Sequence, residues 1–182
     1  MELEDAIQGR RSIRRFKERL VPEEMVLSLM EAARWAPSAK NLQQWRFTVL
    51  TGQSKDDLLI EFRTALEDLS KRIGMNEMGS ALHTCAIMDT APILIVVWNA
   101  GKYGWITEGH SVAAAVQNLL LKAHDLGLGG LWIGDVWYSP EVFTKHLKKE
   151  WKLFGALSIG WPDENPAPRP RRSIDEFVEF LT

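Results

Sequence analysis

A run of basic residues near the N-terminus is the feature of the sequence best suited to chemistry. Residues 10–16 read RRSIRRF, and the isoleucine and phenylalanine predict a segment packed against the protein. Because alternate side chains of an extended segment point the same way, Arg10, Ser12 and Arg14 would share one face. Guanidinium groups and a hydroxyl suit a phosphate. The alternative is a solvated basic turn, balanced by the acidic start of the next helix.

A second arginine cluster lies near the other end of the chain, at Arg169, Arg171 and Arg172. The preceding segment, 162–170, contains four prolines, which predicts an extended arm rather than a helix or a strand. Such an arm can carry its arginines across the surface, so that both clusters clamp one phosphate. These arginines can instead merely flank the last helix. An RNA contact is a further alternative, although the cluster has no interleaved aromatic residue to stack on bases.

Two loops contain residue types that suit a planar ligand. Residues 37–45, PSAKNLQQW, offer small and amide side chains that can hydrogen-bond a heterocycle. Residues 127–135, GLGGLWIGD, let backbone amides approach a ligand closely, although a plain helix end followed by a tight turn explains the glycines equally well. Trp105 and Trp137 fall in predicted loops and can line a pocket for an aromatic substrate.

Composition and charge exclude several classes of protein. The chain has 182 residues, 46% of them apolar and 25% charged, with a net charge of −2, so we expect a globular protein that binds neither nucleic acid nor a membrane. The longest apolar run, 91–98, is too short to cross a bilayer. The acidic N-terminus is unlike a signal peptide, and Cys85 is the sole cysteine, so we expect a cytoplasmic location. Four scattered histidines match no metal-binding motif, and we expect no metal.

Periodicity predicts the elements that position these residues. Helices are indicated by apolar residues at helical spacing, and strands by alternation or short apolar runs. The predicted helices are 22–36, 55–73 (opened by a capping box of Ser54 and Asp57), 107–126, 139–149 and 173–180. The predicted strands are 45–50, 92–97, 131–134 and 153–161. Without an internal repeat or a second composition regime, the sequence predicts one α+β domain over 1–182, with a small central sheet in a three-layer arrangement.

Taken in order, these motifs resemble the FMN-dependent nitroreductase family, in its shorter-subunit branch. The resemblance runs nearly end to end and rests on RRSIRRF, APSAKNLQQWRF, APILIVV, LGLGGLWIG, IGWP and PRPRR. It implies an α+β sandwich whose mostly antiparallel sheet is flanked by helices. It also implies an intertwined homodimer, with the long apolar helix at the interface and the arm 162–182 reaching across the partner. An FMN would occupy each of two sites between the subunits.

The resemblance also implies roles for individual residues. Those that would hold the phosphate and ribityl chain are Arg10, Arg11, Ser12 and Arg14, helped by Arg169 and Arg171. Those that would touch the flavin ring from the partner subunit are Pro37, Ser38 and Ala39, in a loop supported by Asn41 and Gln43. Backbone groups of three residues would face the ring edge at N5: Ile133, Gly134 and Asp135. The mid-chain contact to the flavin pyrimidine stays open between Asn76, His83 and neither.

The chain departs from the family pattern at three positions. Ala39 stands where the family often has serine or glycine, and Gln44 where it often has proline. Asp135 would place a negative charge near the ring if its side chain points inward, which would disfavour the anionic reduced flavin and lower the reduction potential.

The activity implied by the resemblance is that of an NAD(P)H oxidoreductase. NADH or NADPH would pass hydride to flavin N5, and a nitroaromatic, a quinone or a similar small aromatic acceptor would then take the electrons in a ping-pong cycle. The flavin carries this chemistry, so no protein residue is assigned as catalytic. The alternatives are a flavin-binding or redox-sensing protein without turnover, another reaction such as reductive dehalogenation, or an RNA- or phosphopeptide-binding module.

Overall fold

A four-stranded antiparallel sheet forms the centre of the computed structural model, which describes residues 1–181. The strands lie in the order β1–β2–β4–β3, so that β3 is an edge strand. Their bounds are β1 Trp45–Leu50, β2 Ile93–Asn99, β3 Gly129–Ile133 and β4 Lys152–Gly160. Every pairing between them is antiparallel.

Six helices and four short 3₁₀ turns surround the sheet. The helices are α1 Leu3–Gly9, α2 Glu23–Arg34, α3 Gly52–Ile73, α4 Ala81–Thr90, α5 Ile106–Asp125 and α6 Pro140–His146. The 3₁₀ turns are Ala39–Asn41, Met75–Met78, Asp135–Tyr138 and Ile174–Glu176. Helices α3, α4 and α6 pack on one face of the sheet, and α2 and α5 pack on the other. The three-layer α+β arrangement predicted from the sequence is therefore confirmed.

Strand β2 shows why the sheet is central. Its side chains alternate between the two layers: Leu94, Val96 and Trp98 join the core under α3 and α4, whereas the intervening residues join the core under α5. Since both faces are covered, the strand is a continuous apolar run rather than an alternating one, and its residues 93–98 are almost fully buried.

The basic run is an extended segment attached to the edge of the sheet. Ser12 forms a parallel bridge with Gly130 of β3, and the N–H of Ile13 donates to the Gly130 carbonyl (3.1 Å). On its other side the run pairs with the chain that leaves β4: Lys17 N–H donates to the carbonyl of Trp161 (2.9 Å). Residues 10–17 are therefore held between an edge strand and the start of the arm.

Several predicted boundaries were wrong. No capping box opens α3 in the described chain: the helix begins at Gly52, and the Ser54 hydroxyl donates to the Thr51 carbonyl (2.9 Å). Helix α6 ends at His146, before the predicted end at 149. Strand β3 begins two residues earlier than predicted, where two glycines leave room for the basic run to pack against the strand. The predicted helix 173–180 is a single 3₁₀ turn, because the exposed tail lacks a surface within residues 1–181 on which to bury its apolar residues. Thr182, the last residue of the predicted arm, lies outside the described residues.

Length and polarity decide whether a helix can span a membrane. Among the residues described, no helix has both the length and the apolar character that spanning a bilayer requires.

Gly129 gives a test of the attachment of the basic run. A Cβ at this position would lie 2.7 Å from Ile13, so we expect Gly129→Ala to push the run outward and to lower the free energy of unfolding by about 1–3 kcal/mol. Urea denaturation followed by circular dichroism measures the change. The control is Gly109→Ala in α5, where the new Cβ would meet Phe154 at an ordinary 3.5 Å and where we expect a gain of about 0.5–1 kcal/mol. Equal stability of the Gly129 variant and the wild type would contradict the packing argument.

Candidate functional site

Both arginine clusters line one cleft of about 630 Å³. The chain that follows β4 runs antiparallel to the basic run, with the Asp163 N–H donating to the Arg15 carbonyl (2.9 Å), and this pairing directs the arm back over α1. The predicted phosphate-binding residues that meet in the cleft are Arg10, Arg11, Ser12, Arg14, Arg169 and Arg171. The arm itself supplies one wall, through Pro166, Ala167 and Pro168. All six predicted residues therefore lie together within a single chain.

The charge in this cleft is strongly positive. Burial lowers the pKa of Arg10 from its usual value, and the neighbouring guanidinium groups of Arg171 and Arg11 lower it further. Glu164 is engaged beside the cleft: its carboxylate accepts the backbone N–H groups of Arg14 and Arg15 and pairs with the Arg15 side chain (3.5 Å). The converging arginines are thus left to attract an anion from outside the chain.

A second cleft of about 320 Å³ adjoins the first at Arg14, which lines both. Its floor is the end of β3, so that Ile133, Gly134 and Asp135 all line it. His83 of α4 reaches the same cleft, whereas Asn76 belongs to the 3₁₀ turn Met75–Met78. Arg14 thus lies between a larger, arginine-rich cleft and a smaller cleft at the end of β3.

The side chain of Asp135 is held by two hydroxyl groups. Ser80 Oγ donates to its Oδ2 at 3.0 Å, and Thr84 Oγ1 donates to the same atom at 2.6 Å. Sequence reasoning missed both residues, which lie four apart at the start of α4, because isolated serines and threonines are common at helix starts. Their spacing on one helix face is the signal that was available.

The loop 37–43 is strained and firmly held. Lys40, Asn41 and Gln43 have φ values of 53°, 54° and 47°, in the left-handed region that non-glycine residues rarely adopt. The Ser38 hydroxyl accepts the Gln43 N–H (3.1 Å), and the Gln43 amide donates to Asn41 Oδ1 (2.9 Å). Strain of this kind persists only where the surroundings enforce it, and it is concentrated at functional sites.

This loop lies on α5 rather than in the two clefts of the described chain. The Ala39 N–H donates to the hydroxyl of buried Ser111 (3.1 Å), which anchors the loop to the helix. Beside it, Tyr103 and Trp105 stack with ring centroids 4.5 Å apart, and the Lys40 ammonium lies 4.9 Å from the Trp105 ring. The loop and this exposed aromatic pair therefore form one rigid surface. The indole N–H of Trp137, the other residue predicted to line a pocket, donates to the Phe154 carbonyl (3.2 Å).

The fold and the site define an α+β protein with an arginine-lined cleft at a sheet edge. The chain belongs to the nitroreductase family, whose family model matches residues 7–161.

Three known proteins show the range of that similarity. The chloronitrobenzene nitroreductase of Comamonas testosteroni is 41% identical, over 98% of this chain and 96% of its own. The iodotyrosine deiodinase of Thermotoga neapolitana is 28% identical, over 94% of this chain and 95% of its own. A protein of Desulfovibrio desulfuricans assigned as a nitroreductase and solved in complex with FMN is 27% identical. It superposes with a TM-score of 0.82, covering 100% of this chain and 98% of its own.

His124 beside the arginine cleft gives a test of its electrostatics. Burial lowers the pKa of His124 from its usual value, and Arg10 and Arg11 lower it further. Well above pH 6.5 the imidazole is neutral in both the folded and the unfolded state. As the pH falls through about 6.5, the unfolded chain takes up the proton first, so we expect the stability to decrease until the lowered pKa is passed.

The measurement is an NMR titration of His124 combined with urea denaturation between pH 5 and 8. Arg10→Ala should raise the pKa of His124 and reduce the loss of stability at low pH. Of the two arginines, Arg10 has the larger effect on this pKa. A His124 pKa that is unmoved by this substitution would contradict the assigned cause.

Proposed function

We propose that the protein is an FMN-dependent NAD(P)H oxidoreductase that reduces nitroaromatics, quinones or similar small aromatic acceptors. The observation that carries the proposal is the convergence of two arginine clusters, 155 or more residues apart in sequence, on one cleft that shares Arg14 with a second cleft at the end of β3. A mononucleotide has a charged end and a planar end, which is the shape and charge that this double cleft accommodates. Membership of the nitroreductase family and similarity to an FMN complex support the same cofactor.

The residues present fit FMN at each end. Arg10, Arg169 and Arg171 would bind the phosphate, since their positive charge is unbalanced within the cleft. Arg14, at the junction of the clefts, would lie between the phosphate end and the ring end. At the ring end, backbone groups of Gly134 and Asp135 are exposed to the cleft, and His83 is placed to contact the ring.

When bound, FMN accepts hydride from NADH or NADPH and returns electrons to an acceptor, which gives ping-pong kinetics. The task of the protein is then to bind and orient the cofactor and to leave one face open to two successive substrates. The stacked pair Tyr103–Trp105 beside the strained loop supplies a planar apolar surface suited to an aromatic acceptor.

We propose that the working form is a homodimer. The chain exposes large apolar side chains, with Trp35 74%, Phe180 86% and Leu181 87% exposed. Apolar surface at this level is unfavourable in water and indicates a protein partner. A groove between α2 and α5 is lined by Leu27, Trp35 and Lys122. A second copy would cover this groove and the arm, and would bring its loop 37–39 to the flavin ring. A cytoplasmic location remains our expectation, since the lone Cys85 is buried and free.

One alternative reaction has specific support. The similarity to an iodotyrosine deiodinase indicates that reductive dehalogenation is within reach of the same fold. Assay of halogenated phenols beside nitroaromatics, with halide release as the readout, distinguishes the two. A flavin-binding protein without turnover would be reduced slowly by NAD(P)H and would not consume it in steady state.

Removal of a clamp arginine tests cofactor binding. We expect Arg10→Ala to weaken FMN binding by about 10- to 100-fold, because a charge-assisted contact to phosphate contributes about 1.5–3 kcal/mol. Riboflavin, which lacks the phosphate, should bind the variant and the wild type alike. Arg63→Ala, which removes an exposed arginine paired with Asp89 on the opposite face of the sheet, is the matched control. Isothermal titration of the flavin-free protein gives the affinities, and equal FMN affinity in the wild type and the Arg10 variant would refute this use of the cleft.

Steady-state kinetics test the reaction. With menadione or a nitroaromatic as acceptor, double-reciprocal plots against NADH or NADPH should be parallel, as a ping-pong cycle requires. Failure of the flavin-loaded protein to oxidise either nicotinamide in the presence of these acceptors would leave the non-turnover alternative.

A further inference from the structure

We infer that Ser80 and Thr84 are positioning residues that keep the Asp135 carboxylate from pairing with Arg14, which leaves this arginine free for FMN. The inference rests on the proposed function, because it concerns the charge that Arg14 offers to the cofactor. It assigns a role to two residues that line the smaller cleft and contact Asp135.

Arg14 and Asp135 have opposite charges and line the same cleft of about 320 Å³. In a partly shielded cleft such charges attract each other, and a guanidinium that pairs with a carboxylate has less positive charge to offer a third group. Within residues 1–181, the Arg14 side chain has one long hydrogen bond, to the Ser12 carbonyl (3.4 Å). The restraint on the Arg14 side chain is therefore weak, and the stronger restraint acts on Asp135.

The restraint on Asp135 is strong. Both hydroxyls donate to the same carboxylate oxygen, Oδ2, at 3.0 Å from Ser80 and 2.6 Å from Thr84, and hydrogen bonds to a charged acceptor are the stronger kind. Thr84 is buried, so its hydrogen bond is shielded from water. Ser80 immediately precedes the first residue of the ten-residue helix α4, so the carboxylate also lies at the positive end of the helix dipole.

The consequence concerns the reduced form of the cofactor. FMN gains negative charge on reduction, and an unpaired Arg14 at the junction of the two clefts would stabilise that charge. If the hydroxyls were removed, Asp135 would be free to turn to Arg14, which would neutralise the arginine and bring a negative charge closer. Reduced FMN would then lose more affinity than oxidised FMN, and the reduction potential would fall.

The experiment compares the flavin-loaded wild type with the double variant Ser80→Ala/Thr84→Val. We expect the ratio of reduced to oxidised FMN affinity, obtained from the reduction potential and the oxidised dissociation constant, to fall about three- to fivefold. Thr84→Ser retains a hydroxyl and should keep the wild-type ratio. Adding Asp135→Asn to the double variant should return the ratio to the wild-type value or above it, because no carboxylate remains to pair with Arg14 or to repel the reduced flavin. Thr64→Val on α3 is the control for the threonine substitution.

The outcomes separate the two proposals. A flavin-loaded double variant with an unchanged ratio, or one that Asp135→Asn fails to restore, overturns the inference and leaves the proposed function intact. A wild type that binds no FMN overturns the proposed function and this inference with it. Should the double variant not fold, Ser80→Ala alone removes an exposed hydroxyl and should shift the ratio in the same direction by a smaller factor, and the absence of a shift there overturns the inference.

Discussion

The hydrogen bond from the Ile13 N–H to the Gly130 carbonyl is the contact on which the site depends. It fixes an extended, arginine-rich segment to the open edge of the sheet, which would otherwise present unpaired backbone groups to solvent. Because Gly129 has no Cβ, the Ile13 side chain can lie directly against the backbone of β3. The same segment then pairs on its other side with the chain leaving β4, so one short stretch connects the sheet, the cleft and the arm.

Charge is distributed unevenly as a result. The whole chain is close to neutral, yet six residues of phosphate-binding type meet in one cleft, where burial and mutual repulsion lower the pKa of Arg10. Such repulsion is unfavourable in the empty cleft. An anion that enters the cleft both removes the repulsion and accepts charge-assisted hydrogen bonds from the arginines. In the other cleft, the negative charge of Asp135 is stabilised by two hydroxyl groups and by the N-terminal end of α4.

Periodicity predicted the layers and most elements of the fold, since β2 and α5 have apolar patterns that only burial explains. The packing of the basic run against the protein was predicted from its two apolar residues, Ile13 and Phe16. The motif order, through the resemblance, also grouped the residues that now line the arginine cleft. Sequence reasoning did not place Ser80 and Thr84, because their role depends on a contact with residue 135 that local spacing does not encode. The strain at Lys40 was equally hidden, since lysine has no preference for a left-handed backbone.

The arm has one further consequence. Beyond Pro162 the chain has a single 3₁₀ turn in the described residues, and its arginines are exposed. A trypsin-like protease cleaves after accessible arginines such as Arg171 and Arg172, whereas Arg169 is followed by a proline that blocks cleavage. Loss of this tail would remove part of the arginine-lined cleft, so a bound anion and a covering second copy should both slow the proteolysis.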